Sequence, residues 1–250
     1  MILGASAGLT LVLAFLFSML GLGGALLYIP VFSWLGYDFK TVAIPTGLLL
    51  NGITALSASV FYLRARMVDV PGALPLIVTS FIGAPLGAWV SGYTSEQVLV
   101  GLFAIGMMVA GVRMLSTSQR PDGGDLMGRT KRLTLTGTAG FFIGFFAGLL
   151  GIGGGFLIVP MLMAIGYPTK RAAATSAFAV VFSSFSGFAA HISQGHMNWP
   201  LMSVTLIAVV IGSQLGARVM KDKLSAAWIK RGFGVLMVGV AIKLASQVLL

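Results

Sequence analysis

The chain has 250 residues, of which 57% are hydrophobic and 9% are charged. Ordinary soluble domains carry about 25% charged residues, so a chain this poor in charge cannot cover a water-facing surface, whereas about eight helical spans of roughly 20 residues fit its length. Sixteen Lys and Arg stand against six Asp and Glu, an excess that reads first as cytoplasmic loop charge, second as attraction for an anionic cargo, and not as a nucleic-acid footprint.

The apolar stretches are continuous rather than alternating, which argues against a β-barrel. Without cysteine, disulfides, thiolate metal sites and cysteine nucleophiles are all removed. The opening MILGASAGL lacks a basic n-region and runs into apolar sequence, so it is taken as mature structure rather than a signal peptide.

Apolar blocks are predicted near 2–36, 42–63, 71–92, 96–115, 133–166, 172–193, 199–217 and 232–250. The polar run STSQRPDGGDLMGRTKR (116–132) separates a first membrane repeat (1–115) from a second (133–250). The two halves are alike at an offset of 130. GLGGALLYIPVFSWLGYDFKTVA (21–43) lies on GIGGGFLIVPMLMAIGYPTKRAA (151–173), and the shared Gly, Pro, Tyr and Lys positions carry the signal. Thr46 then matches Ser176, and after one deletion Gly83 and Gly87 match Gly212 and Gly216. Two copies of one membrane unit suggest a transporter-like repeat.

Blocks 2–36 and 133–166 are too long for one ordinary span, and glycines interrupt both. If each block crosses fully, the basic residues divide almost evenly between the two sides, against the positive-inside rule. If each is a re-entrant hairpin, fourteen of the sixteen fall on the side of loop 116–132, which becomes cytoplasmic. The expected fold is therefore all-α and polytopic, with two inverted repeats. Each repeat would hold a glycine-broken re-entrant helix hairpin plus three transmembrane helices.

Gly21, Gly23, Gly24 and Ala25, and Gly151, Gly153, Gly154 and Gly155, form the breaks. Unwound backbone in lipid is tolerated only where protein buries it or water lines it. Short helices starting near 25 and 156 would aim free N–H groups and a partial positive charge at an internal anion site. Simple close packing of helices is the competing explanation. Thr46, Asn51, Ser176 and Gln214 are added as neutral hydrogen-bonding groups for the cargo, although local helix–helix bonding explains such residues too. His191 is the candidate proton carrier, with an interfacial hydrogen-bonding role as the alternative.

No enzyme is expected. Gly4-Ala5-Ser6-Ala7-Gly8 matches a nucleophile elbow in letters, but such a motif needs a strand–turn–helix. Neither glycine run is a G-x-G-x-x-G or G-x-x-x-x-G-K motif, Glu96 is the only Glu, and two histidines with few acids give no metal cluster.

Taken together, GLGGALLYIP and GIGGGFLIVP, each followed by G-Y-x-x-K, with Pro45-Thr46, ATS (174–176) and AAHISQGHMNW (189–199), resemble the TauE/SafE family of sulfite and organosulfonate transporters. The resemblance covers nearly the whole chain. It implies an inner-membrane permease for sulfite, sulfonates or related small anions. A channel of the same architecture, or a carrier of small organic carboxylates, is the alternative. The first copy departs from the pattern at Ala25 and Pro45-Thr46 and has no histidine equivalent to His191. No cofactor is expected. Coupling would be to H⁺ or Na⁺, the partners would be the lipid bilayer and a small anionic substrate, and a homodimer stays open.

Overall fold

The computed structural model describes residues 2–116, 128–192, 198–222 and 226–249, and all regular structure among them is helical. In chain order the helices are α1 (Ile2–Leu20), α2 (Ala25–Trp34), α3 (Ile44–Arg64), α4 (Val70–Tyr93) and α5 (Glu96–Ser116). They continue with α6 (Arg129–Leu150), α7 (Gly155–Ala164), α8 (Thr169–His191), α9 (Trp199–Asp222) and α10 (Ala226–Leu249). A π-helical turn, Phe39–Ala43, leads into α3. Most of the predicted linker, residues 117–127, lies outside the described residues, as do Gln194 and His196.

Among the described residues, seven helical stretches are long and apolar enough to cross a membrane: α1, the joined 39–64 unit, α4, α5, α6, α8 and α9. The short helices α2 and α7 begin within a residue of their expected starts, and Pro30 and Pro160 lie inside them. Side chains with large apolar surface face outward. Trp89, Ile105 and Ile207 are each more than 60% exposed. The buried polar side chains are Ser, Thr, Asn and His. This inversion of the soluble pattern is what a hydrocarbon surround selects, because the lipid accepts apolar surface and polar groups need partners inside.

The matched glycines of the repeat have a local cause. α1 and α6 each end in a left-handed glycine, Gly21 at φ 67° and Gly151 at φ 72°. In both, the next residue's N–H (Leu22, Ile152) reaches back to a carbonyl five residues earlier (Phe17, Ala147), and the glycine N–H reaches the carbonyl three earlier (Ser18, Gly148). This is a Schellman ending, which satisfies carbonyls that the helix end would otherwise orphan. α2 and α7 end the same way at Gly36 and Gly166. The Gly-Tyr spacing repeated in the two halves follows, since Tyr37 then packs edge-on to Phe32, with ring centroids 6.2 Å apart. Such a contact commonly accompanies the motif.

Helix directions follow from which glycines meet which neighbours. A Cβ on Gly83 would meet Phe141 and Phe145 of α6, and one on Gly87 would meet Phe145 and Leu149. α4 and α6 therefore run parallel. Gly212 and Gly216 of α9 meet Leu11, Phe15 and Ser18 of α1 in the same order. That is the same packing carried from one half to the other. Asp69 and Phe81 at successive levels of α4 bond to Thr175 and Ser186 of α8, making that pair parallel too. On the other side, α9 runs along α3, with Gln214 against Ser57 and Ala217 and Met220 clustered with Ala58 and Tyr62. α3 and α8 run antiparallel, since Asn51 meets Ser184 while Leu48 meets Gly187. α5 and α10 are also antiparallel, with Gly111 beside Met237 and Val238 and Leu115 beside Gly234.

Candidate functional site

The two glycine breaks meet inside the molecule. Every residue of 21–25 and 151–155 is buried. A Cβ added to Gly155 would strike the Leu22 carbonyl, so one break lies directly on the other. A Cβ on either Gly23 or Gly153 would fall on the Asn51 side chain. Both glycines also hold positive φ, 79° and 69°, so any side chain there is strained as well as blocked.

Asn51 of α3 sits between the breaks and is fully buried. Its Oδ1 accepts from the Gly24 N–H and from the Ala25 N–H, the latter at 2.8 Å. These are the first free donors of α2. Its Nδ2 donates to Ser184 Oγ of α8 at 2.6 Å. Ser183 Oγ donates to the Gly153 carbonyl at 2.8 Å, and Ser176 Oγ reaches the Gly155 carbonyl at 3.5 Å. Thr46 is buried on α3, five residues before Asn51. Behind α2, Tyr28 OH and Thr54 Oγ1 bond at 3.1 Å. Thr54 gives its one proton to the Leu50 carbonyl, so Tyr28 is the donor.

The glycines, Asn51 and Ser176 are thus brought together, whereas two other predicted residues are held elsewhere. Gln214 donates to the Ser57 carbonyl at 2.7 Å and to Ser57 Oγ at 2.9 Å, a bond between α9 and α3. His191 is buried and its Nε2 lies 2.8 Å from the Gly148 carbonyl of α6. A carbonyl only accepts, so this nitrogen carries the proton. Ser183 and Ser184, buried on α8, join the site as well, and sequence reasoning missed them, since spacing along a helix does not say which hydroxyl meets the Gly153 carbonyl or the Asn51 amide.

The halves are not equivalent at the site. The residue matching Asn51 is Val181. No side chain among the described residues caps α7, and its preceding Gly154 sits at φ 78°, whereas Gly24 before α2 is extended at φ −162°. No group of three or more potential metal ligands occurs among the described residues.

A second cluster lies away from the breaks, where α4 begins. Asp69 caps α4 through the Gly72 N–H at 3.2 Å and accepts from Tyr167 OH at 2.6 Å. Arg132 of α6 lies 3.8 Å from the carboxylate and over the Tyr167 ring. Burial raises the carboxyl's pKa, but the Tyr167 hydroxyl, the Gly72 N–H, Arg171 and Arg132 together outweigh it and hold it below the usual range. Burial, then the bond to Asp69, pushes the Tyr167 phenol up to about 12. The signal was available in the matched tyrosines, but nothing in the sequence joined Tyr167 to Asp69.

With this geometry in hand, comparison with known proteins places the chain. The family described as Sulfite exporter TauE/SafE matches it over residues 6–244. The chain belongs to the TauE/SafE family. Among its relatives, the probable membrane transporter protein YunE of Bacillus subtilis is 31% identical over 227 residues, spanning 81% of this chain and 82% of YunE. The probable membrane transporter protein YfcA of Escherichia coli K12 is 25% identical over 224 residues, spanning 89% of this chain and 82% of YfcA. No solved structure matches. This TauE/SafE protein is thus a membrane transporter built from apolar helices, a class that points away from enzymes.

Proposed function

We propose that this TauE/SafE protein is an inner-membrane secondary transporter of small anions, sulfite, sulfonates or related sulfur oxyanions. Alternating access would take place at a site between the two glycine breaks. The observation that carries the proposal is the convergence of both breaks on Asn51 and Ser184. Two helix starts, serine hydroxyls and one carboxamide meet there without a buried Lys, Arg, Asp or Glu among the described residues. Oriented N–H groups, with the Thr46 and Ser176 hydroxyls, bind an oxyanion without trapping it by formal charge. Complete burial of both breaks favours a carrier over a channel, which needs a continuous path.

The inverted-repeat arrangement draws support from the helix directions. α3 and α8 are repeat equivalents and run antiparallel, as do α5 and α10. The re-entrant hairpins draw support from α1 running with α9 and hence with α3. Tyr62 near the end of α3 donates to the Ser18 carbonyl near the end of α1, at 2.5 Å. A chain that ends α1 and α3 at the same end must return between them, and α2 with its flanks is the segment available. Loop 116–132 is then cytoplasmic by the positive-inside rule. The coupling ion would be H⁺ through His191, or Na⁺.

The test is transport by purified protein in liposomes. Saturable, gradient-driven movement of sulfite, thiosulfate or taurine is expected, with competition among them. Non-saturable flux that follows the electrical gradient alone would make it a channel, and no movement of any sulfur oxyanion would remove the cargo assignment.

A further inference from the structure

The anion site proposed above has a complication that the repeat does not share out evenly. The N–H groups of Gly24 and Ala25, which would hold a cargo oxygen, are already taken by Asn51 Oδ1. We propose that Asn51 is the residue that competes with cargo in this carrier: its carboxamide oxygen holds the two N–H groups that a cargo oxygen would take, so cargo entry and Asn51 release are a single exchange. The inference rests on the anion-carrier reading.

Four observations carry it. The orientation of the amide is fixed by its surroundings, because backbone N–H groups only donate and must face Oδ1, leaving Nδ2 for Ser184 Oγ. A neutral oxygen accepting from two consecutive N–H groups at a helix start does what one oxygen of a sulfite or sulfonate would do. The arrangement is also one-sided. The repeat places Val181 at the matching position, and the backbone before α7 adopts a different conformation from that before α2. A cap needed only to finish a broken helix would be needed in both halves. Finally, Asn51 is anchored across the repeats by a single bond to Ser184, so it can be released without unwinding either helix.

Competition makes the sign of the test unambiguous. Asn51→Val installs the residue of the other half and frees the two N–H groups, so anion affinity should rise by about tenfold, the factor that one to two net hydrogen bonds represent. Asn51→Asp puts a fixed negative charge on the same donors and should lower affinity by at least about tenfold. Ser184→Ala leaves Oδ1 in place but removes its anchor, and should tighten binding by a smaller factor. This variant serves if Asn51→Val does not fold.

The measurement is the apparent Kd of purified protein for sulfite, sulfate, thiosulfate and taurine, by thermal shift and calorimetry at fixed ionic strength. A merely structural Asn51 would lower the unliganded melting temperature and weaken binding, never strengthen it. Tighter binding by Asn51→Val, or binding that appears only in this variant, supports the exchange. Wild-type binding that Asn51→Val weakens or leaves unchanged overturns the role of Asn51 while the carrier reading stands. No binding of any of these anions by either protein overturns both.

Discussion

Gly87→Ala is the sharpest test of the packing that holds the halves together. The added Cβ would fall on the Phe145 carbonyl of α6, with Leu149 N at 2.6 Å and Phe145 C at 2.8 Å. These are backbone atoms and cannot rotate aside, so α4 and α6 must separate by about 1 Å, enough to forfeit a quarter or more of each contact along the seam. Overpacking of this kind costs about 1–3 kcal/mol. Against it stands the alanine helix preference, up to about 1 kcal/mol and smaller in a membrane, where separated helices stay helical. Gly216→Ala in the twin seam, where the Cβ would meet Phe15 and Ser18 of α1, should cost a similar amount. Gly101→Ala meets nothing within 4 Å and should be neutral or slightly stabilising. The assay is thermal unfolding of the three variants in detergent, followed by size-exclusion fluorescence. A Gly87→Ala protein as stable as wild type would refute the close approach, and unequal losses at Gly87 and Gly216 would refute the equivalence of the seams.

Other expectations can be checked on the same preparations. Because the chain has no cysteine, Pro168→Cys can be labelled in an otherwise unreactive background. Labelling from the cytoplasmic side is expected, and labelling from outside alone would end the hairpin proposal. Ser176→Ala should weaken anion transport while folded yield is kept, and unchanged uptake and export kinetics would remove this residue from the site. Asp69→Asn should destabilise the protein by about 1–3 kcal/mol, the worth of hydrogen bonds to a charged group, read as a lower melting temperature. The carboxyl's pKa is lowered in the fold, so its contribution is complete above the ordinary value of 3.8 and is lost as pH falls below it. Acid melting curves of wild type and Asp69→Asn should therefore converge, and a constant gap down to acid pH would contradict the carboxylate's role.

The sequence revealed most where one cause acts locally. The breaks at 21 and 151, and the Gly-Tyr pairs at 36 and 166, are legible because a left-handed helix ending favours glycine and the residue after it packs back, although α3 ends the same way at Arg66, φ 55°, with no glycine to mark it. Helix existence was equally plain, since a long apolar run in lipid has few other ways to satisfy its backbone. What stayed hidden depends on which side chain meets which across the fold. Asn51 was legible as a polar residue inside a span, but its three partners lie 26, 27 and 133 residues away. Gln214 looked equally interior, yet it bonds to Ser57, and the difference is set by helix rotation, which composition does not carry. His191 drew attention as an ionisable group at depth, while its bond to a glycine carbonyl came from the close approach of α6 and α8.

The unevenness of the halves has an energetic consequence. If the proposed cycle swaps the roles of two related units, identical units would make its inward-facing and outward-facing forms degenerate, and the empty carrier would spend equal time in each. Every mismatched position lifts that degeneracy. Asp69 caps α4 with a charge shared by Tyr167 and Arg132, whereas its counterpart Asn198 caps α9 as a neutral amide, its side chain accepting from the Leu201 N–H. Asn51 faces Val181 in the same way. The resting bias of the carrier, and with it the side from which cargo is met first, would then be written in these few unmatched pairs rather than in the shared scaffold.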